Sequence, residues 1–159
     1  MLVSIFDLIG HYGPVISFAL TFYNIIHQIP YLTAFVFGSI LNVILNMYLK
    51  TTIREPRPEN QIEYIDYNET YNDLTGFNEF GMPSGHAQTV MFAVVFLFLV
   101  KGPSAFTYAI LFIAGLTIYQ RWKYNRHTVR QLIIGSVVGG LVAALVFHAT
   151  HIYLHGNAL

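Results

Sequence analysis

The sequence predicts an all-α integral membrane protein, a helical bundle with about five transmembrane helices. Three observations predict it. Of 159 residues, 55% are hydrophobic and only 10% charged, well below the roughly 25% charged residues of soluble domains. The mean hydropathy is +0.53. The apolar residues run in continuous stretches of about 20, enough to cross the hydrocarbon core as helix, instead of alternating in steps of two as a transmembrane barrel requires. The length suits a single domain over 1–159, with an acidic surface loop at about 59–79.

The first span lies within 3–28. Gly10, His11, Gly13 and Pro14 interrupt its first half, and Pro14 marks a helix start or kink, leaving an interfacial stub ahead of one crossing. Asp7 stands early and no basic run precedes it, so this span is expected to remain uncleaved and to act as its own address. The second span covers 31–49, the third 84–100, the fourth 104–119 and the fifth 128–151, with Lys101, Gly102 and Pro103 forming a tight turn between third and fourth. Asn42 and Asn46, four apart in the second span, are placed to hydrogen-bond between helices. His148, His151 and His155 fall at i, i+3 and i+7 of the last helix; they read as interfacial residues in preference to a metal site.

Eight basic and eight acidic residues give a net charge of zero, which argues against a nucleic-acid partner, since that would demand a basic surface. There is no cysteine, so disulfides, thiolate metal sites and thiol nucleophiles are excluded. The charge is nevertheless segregated. Counting crossings puts Lys50, Arg54, Arg57, Arg121, Lys123, Arg126 and Arg130 on one face and Lys101 on the other, which by the positive-inside rule makes the first face cytoplasmic. The loop "ENQIEYIDYNETYNDLTGFNE" shares that face, carries no basic residue, and includes the glycosylation sequon Asn68-Glu69-Thr70.

Three polar clusters sit at helix ends on this same face. "KTTIREPRP" places Lys50 seven positions before Arg57 as the second span exits; by itself it is a snorkelling lysine with a basic anchor. Pro83-Ser84-Gly85-His86 opens the third span, where proline suits a first turn, serine offers a hydroxyl, glycine permits close approach, and free amides attract anions. "QRWKYNRHTVRQ" sets Arg121 six residues before His127 and Gln131 four after it, a spacing that brings Gln131 within reach of the imidazole on a helix starting near His127.

In this order, K-x6-RP, PSGH and R-x5-H-x3-polar resemble the three-part signature of the type 2 phosphatidate phosphatase superfamily, integral-membrane lipid phosphatases related in core to vanadium haloperoxidases. The resemblance covers roughly 31–150. It implies a lipid-phosphatase/haloperoxidase-like core and hydrolysis of a lipid phosphate or diphosphate with no cofactor and no metal. In that scheme His127 is the nucleophile that forms a phosphohistidine, His86 the acid for the leaving group, and Gln131 the residue orienting His127. Lys50, Arg57 and Arg121, helped by Ser84 and the backbone of Gly85, hold the phosphate. The chemistry suits the residue types: arginine forks match two phosphate oxygens at once, and lysine adds a compact charge.

Two positions depart from the commonest family pattern. Gln120 stands where a serine usually precedes the arginine, and Gln131 where an aspartate usually orients the nucleophile. An amide oxygen can still fix the imidazole tautomer, but it lacks the charge that would stabilise an imidazolium. "REPRP", "GMPS.HAQ" and "HTVRQ" followed by an apolar run and Gly135 are most similar to the dolichyl diphosphatase branch, where glutamine commonly fills this position; that branch usually has Ser-Ser-His where this chain has Ser84-Gly85-His86. The expected substrate is therefore a polyprenyl diphosphate of dolichyl type, with phosphatidate and other lipid phosphates as the alternative, and a non-catalytic lipid-phosphate-binding protein as the rival class. The branch presents its site to the endoplasmic reticulum lumen, against the charge rule, and the expectation here is a lumenal or otherwise non-cytoplasmic site.

Overall fold

In a computed structural model of the chain, residues 3–62 and 79–156 are described. They form six α-helices: α1 Ile5–His11, α2 Gly13–Ile25, α3 Ile29–Ile53, α4 Gly85–Lys101, α5 Ala105–Lys123 and α6 Val129–His155. The all-helical membrane architecture expected from the sequence is what the chain adopts. The Asn68 sequon and most of the acidic loop lie outside the described residues.

The first span is broken where the glycines and Pro14 predicted a break. Ser4 caps α1 in a reciprocal capping box with Asp7, α2 starts with Pro14 in its first turn, and the two helices meet at 70°. The bend is tucked against α5: a Cβ at Gly10 would stand 2.7 Å from the Leu116 carbonyl and from Gln120 Cβ. An ion pair between Asp7 and Lys123 at 2.7 Å ties α1 to the end of α5.

Helices α3 and α6, of 25 and 27 residues, are each long and apolar enough to cross a membrane, spanning about 37 and 40 Å at 1.5 Å per residue. The bent α1–α2 pair qualifies only as one broken span or a re-entrant loop, and α4 is a shorter apolar helix. The physical reason lies in position. Helix α4 is the central helix, packed against α2, α3, α5 and α6, and Val90, Phe92, Ala93, Phe96 and Leu97 are buried on its several faces. It meets protein where the outer helices meet lipid. Phe35 stacks on Phe18 at 5.1 Å and on Phe92 at 5.7 Å, and Phe92 on Phe96 at 5.9 Å, joining α2, α3 and α4 in one aromatic core. Outward, α3 exposes Phe37, Leu41 and Ile44, and α6 exposes Ile133, Leu141 and Leu145, the apolar belt a bilayer covers.

The α4–α6 contact fixes the site. A Cβ at Gly135 would stand 2.5 Å from the Ser84 carbonyl, and one at Gly139 would collide with the Gln88 carbonyl, so only glycine lets α6 lie against the start of α4. Polar bonds lock α3 to α4 as well. Gln88 Nε2 donates to the Asn42 carbonyl and side-chain oxygens, both at 2.9 Å, and its Oε1 accepts from Asn46 Nδ2 at 2.7 Å. The two asparagines do bond between helices, with Gln88 as their common partner.

The long α3–α4 connection is pinned at both ends. Arg54 ends α3 in the left-handed region, φ 52°, turning the chain so that Pro56 pairs with Phe80 and Gly81 N–H donates to the Glu55 carbonyl at 2.8 Å. Farther on, Ile62 N–H donates to the Tyr124 carbonyl, and Asn125 and Arg126 side chains donate to Asn60 and Gln61. Residues from the first and third sequence clusters are thereby held side by side.

Candidate active site

Each of the three clusters occupies a helix end, and all three ends lie together. Lys50, in the last turn of α3, is 7% exposed and donates from Nζ to the Phe80 carbonyl at 2.7 Å. Arg57, half-buried in the segment after α3, is among its charged neighbours. Ser84 caps α4, fully buried, its Oγ accepting from Ala87 N–H and its own N–H donating to the Gln131 carbonyl at 3.1 Å. Gly85 follows at the first helical position, with Asn46 Oδ1 beside it. Asn46 also donates to the Pro83 carbonyl at 3.3 Å, and Met82–Pro83 is a cis peptide.

His86 lies in the first turn of α4 with Nε2 against Arg121 Nη2, and its charged neighbourhood comprises Arg121, His127, His11 and Arg57. A guanidinium only donates, so His86 Nε2 is the acceptor and the ring is neutral in this arrangement. Arg121, in the last turn of α5, is 6% exposed. The cations near His127 are Arg57, Lys50 and Arg121, two of which it shares with His86. The structure thus gathers Lys50, Arg57, Ser84, Gly85, His86, Arg121, His127 and Gln131 around one centre.

His127 precedes α6, ahead of the N-cap Thr128, and is 4% exposed. Burial, followed by the nearby Arg57 and Lys50 charges, lowers its pKa from 6.5 to about 3, so the imidazole is neutral at physiological pH. Its Nδ1 is 3.2 Å from Gln131 Oε1. That reach comes from capping, and differs from the helix-face geometry expected of an i, i+4 pair. Gln131 is the third helical residue, paired with Thr128 in a capping box, and the side chain of such a residue bends back over the helix start, where His127 lies.

Three residues not singled out by the sequence belong to this neighbourhood. Glu55 Oε1 accepts from Gln131 Nε2 at 3.0 Å. Gln88 holds Asn46, which in turn contacts Pro83 and Gly85. His11, at the α1–α2 bend, brings its ring centroid within 6.3 Å of His86. Two of the three stood inside quoted motifs, Glu55 in "REPRP" and Gln88 in "GMPS.HAQ"; His11 had no signal beyond its place among the helix-breaking glycines. Gln120, the other departure from the family pattern, is buried facing α1. A cavity of about 330 Å³ opens on this side, between α1 and α5, lined by Phe6, Asp7, Phe112, Leu116, Tyr119 and Lys123; it is separate from the two histidines.

Among the described residues, no group of three or more histidine, aspartate or glutamate side chains is arranged to hold a metal ion. His151 instead hydrogen-bonds Tyr31 at 3.0 Å, stacks on Phe147 and meets the His155 ring at a tilt, at the end of α6 remote from His127.

Two imidazoles and three cations thus lie together at the ends of helices, an arrangement whose charge suits an anionic group. Residues 30–153 match the PAP2 superfamily. The chain belongs to this superfamily. It is 26% identical over 121 residues to a Dolichyldiphosphatase of Saccharomyces cerevisiae, covering 70% of this chain and 48% of that protein. It is 30% identical over 118 residues to Lipid phosphate phosphatase epsilon 1, chloroplastic, of Arabidopsis thaliana, covering 69% and 37%. Lipid phosphate phosphatase gamma of the same plant is 27% identical over 127 residues, covering 73% and 52%. The chain therefore spans about half or less of the length of these PAP2 relatives. No solved structure matches it. The superfamily match begins after α2, so His11 and the bent helix pair lie outside it.

Proposed function

We propose that the protein is a membrane lipid phosphatase that hydrolyses a polyprenyl diphosphate of dolichyl type through a phosphohistidine on His127. The observation that carries this reading is the convergence of a neutral, buried His127 with His86 and the three cations Lys50, Arg57 and Arg121. Gln131 Oε1 accepts from Nδ1–H of His127, and a ring protonated there has its lone pair on Nε2, free to attack. Lys50, Arg57 and Arg121 neutralise the phosphoryl oxygens, with donors from Ser84 and the Gly85 backbone. An entering phosphate draws the Arg121 guanidinium to itself, releasing His86 Nε2 to take up a proton, which the substrate's negative charge favours.

Nε2 of His127 then bonds to phosphorus as the phosphorus–oxygen bond to the leaving group breaks, and His86 gives its proton to that oxygen. Neutral His86 next accepts a proton from water as the water oxygen attacks the phosphohistidine. The phosphorus–nitrogen bond breaks, His127 is restored, and inorganic phosphate leaves beside the lipid monophosphate. The cationic side chains take the place a metal would hold.

Placement at helix ends suits an amphiphile whose headgroup enters the site while its tail stays in lipid. The dolichyl assignment draws on the motif resemblance and on similarity to the yeast protein; phosphatidate or another lipid phosphate is the second reading, favoured by the comparable identity to the plant lipid phosphate phosphatases. By the same resemblance the site faces the lumen or another non-cytoplasmic compartment.

Purified protein is assayed for phosphate release from polyprenyl diphosphate and from phosphatidate, with and without EDTA, alongside His127→Ala. Release that survives EDTA and disappears in the variant is expected. Release retained by the variant removes His127 as nucleophile, and release abolished by chelator removes the metal-free mechanism. Binding of both lipids without turnover establishes a non-catalytic binder.

A further inference from the structure

We propose that Glu55 is a positioning residue for His127, acting through the side-chain amide of Gln131; this rests on the reading of His127 as nucleophile. Gln131 is fully buried and every polar atom of its amide is engaged. Two backbone groups decide which way the amide points. Thr128 N–H can only donate, and it faces Oε1 at 3.2 Å. The Pro56 carbonyl can only accept, and it faces Nε2 at 2.9 Å. With the amide so fixed, Oε1 accepts from His127 Nδ1–H at 3.2 Å while the second amide hydrogen goes to Glu55 Oε1 at 3.0 Å.

The result is a continuous chain from carboxylate to amide to imidazole. Hydrogen bonds in series polarise one another, so a carboxylate accepting from Nε2 increases the negative charge on Oε1 and strengthens its hold on Nδ1–H. The carboxylate is itself held in register. The Glu55 carbonyl accepts from Gly81 N–H at 2.8 Å, and Arg130 Nη2 lies 3.8 Å from Glu55 Oε2. The side chain is 26% exposed, whereas the amide it contacts is buried.

This arrangement accounts for a glutamine at 131. A carboxylate there would turn an acceptor toward both the Pro56 carbonyl and the Glu55 carboxylate, with no hydrogen to offer either. The negative charge that a carboxylate beside the nucleophile would supply is set one side chain further out, on a residue 76 positions away in the sequence.

Phosphate release by the full chain in lipid–detergent micelles is measured for wild type, Glu55→Gln, Glu55→Ala, Gln131→Glu and the double variant Glu55→Gln/Gln131→Glu. Glu55→Ala is expected to lower kcat about 10–100-fold, by analogy with removal of the outer hydrogen-bond partner of a metal-bound histidine, with KM little changed. Glu55→Gln, which keeps an acceptor without charge, falls between it and wild type. Gln131→Glu alone loses activity, and the added Glu55→Gln, supplying an amide hydrogen to the new carboxylate, recovers it about ten-fold, a coupling of directly contacting residues. A second readout does not depend on turnover: by 15N NMR of histidine-labelled protein, His127 carries its proton on Nδ1 in wild type and shows mixed tautomers in Glu55→Ala. Wild-type kcat and a single Nδ1–H tautomer in Glu55→Ala overturn the proposal, as does a double variant no better than Gln131→Glu. Activity persisting in His127→Ala defeats the nucleophile reading instead, and the tautomer comparison then still decides whether Glu55 orders the ring.

Discussion

Replacing Gln88 with leucine removes the polar lock between α3 and α4 while keeping nearly the same volume at a fully buried position. Three hydrogen bonds disappear: two from Nε2 to Asn42 and one from Asn46 to Oε1. At about 0.6 kcal/mol for each interhelical bond in a membrane protein, the loss is about 2 kcal/mol. The stranded Asn42 oxygen, buried and without its donor, adds about 1–3 kcal/mol. At about 2–4 °C per kcal/mol for a chain of this size, the midpoint of thermal unfolding in detergent is expected to fall by at least about 5 °C. The consequence reaches the site, because Asn46 also holds the Pro83 carbonyl and packs beside Gly85. Phosphate release measured well below the new midpoint is therefore expected to drop as well. An unfolding midpoint within about 1 °C of wild type, with unchanged turnover, would refute the idea that this network positions the start of α4.

Two further expectations follow from particular contacts. A Cβ added in Gly81→Ala would stand 2.5 Å from Gln131 Nε2 and 2.6 Å from its Cδ; the amide is displaced, and turnover falls with lipid binding retained, which titration with substrate-loaded micelles separates from a loss of affinity. For pH, the folded pKa of His127, about 3, lies below its unfolded value of 6.5, so between these limits the unfolded chain binds a proton that the folded one refuses. The ring therefore makes stability fall as pH drops from 6.5 toward 3, by about 1.4 kcal/mol per pH unit at full difference, and unfolding curves of His127→Gln are expected to be flatter across that window. A parallel pH dependence in wild type and variant would show that the buried ring is not held neutral.

Much of this architecture is legible in the chain because local chemistry announces it. Ser84, Ser104 and Thr128 each cap the helix that follows, and the Gly10–Pro14 stretch marks the bend between α1 and α2. Helices α3 and α5 run a turn beyond their expected ends, through Ile53 and Lys123, since backbone hydrogen bonding continues past the point where the apolar residues stop. The three clusters are recognisable from distinctive residue types at fixed spacing. Partnerships between clusters are another matter. Glu55 meets Gln131 only because Arg54 turns the chain in the left-handed region and Gly81 fastens it, and neither event has a spacing that a linear reading can detect. Gln88 stands in a quoted motif, but its bonds to Asn42 and Asn46 come into view only when α3 is laid against it. His11 approaches His86 through the 70° bend, an angle that glycine and proline permit without specifying.

In the proposed reaction a phosphoryl group passes through His127. Rapid acid-free quenching of protein mixed with lipid diphosphate labelled in its terminal phosphate, followed by mass spectrometry of the peptides, tests it directly. Label on His127 Nε2, lost on treatment with acid and missing in His127→Ala, is the expected result. Steady phosphate release from wild type with no label on His127 at any quench time, or with turnover intact in the variant, would contradict it.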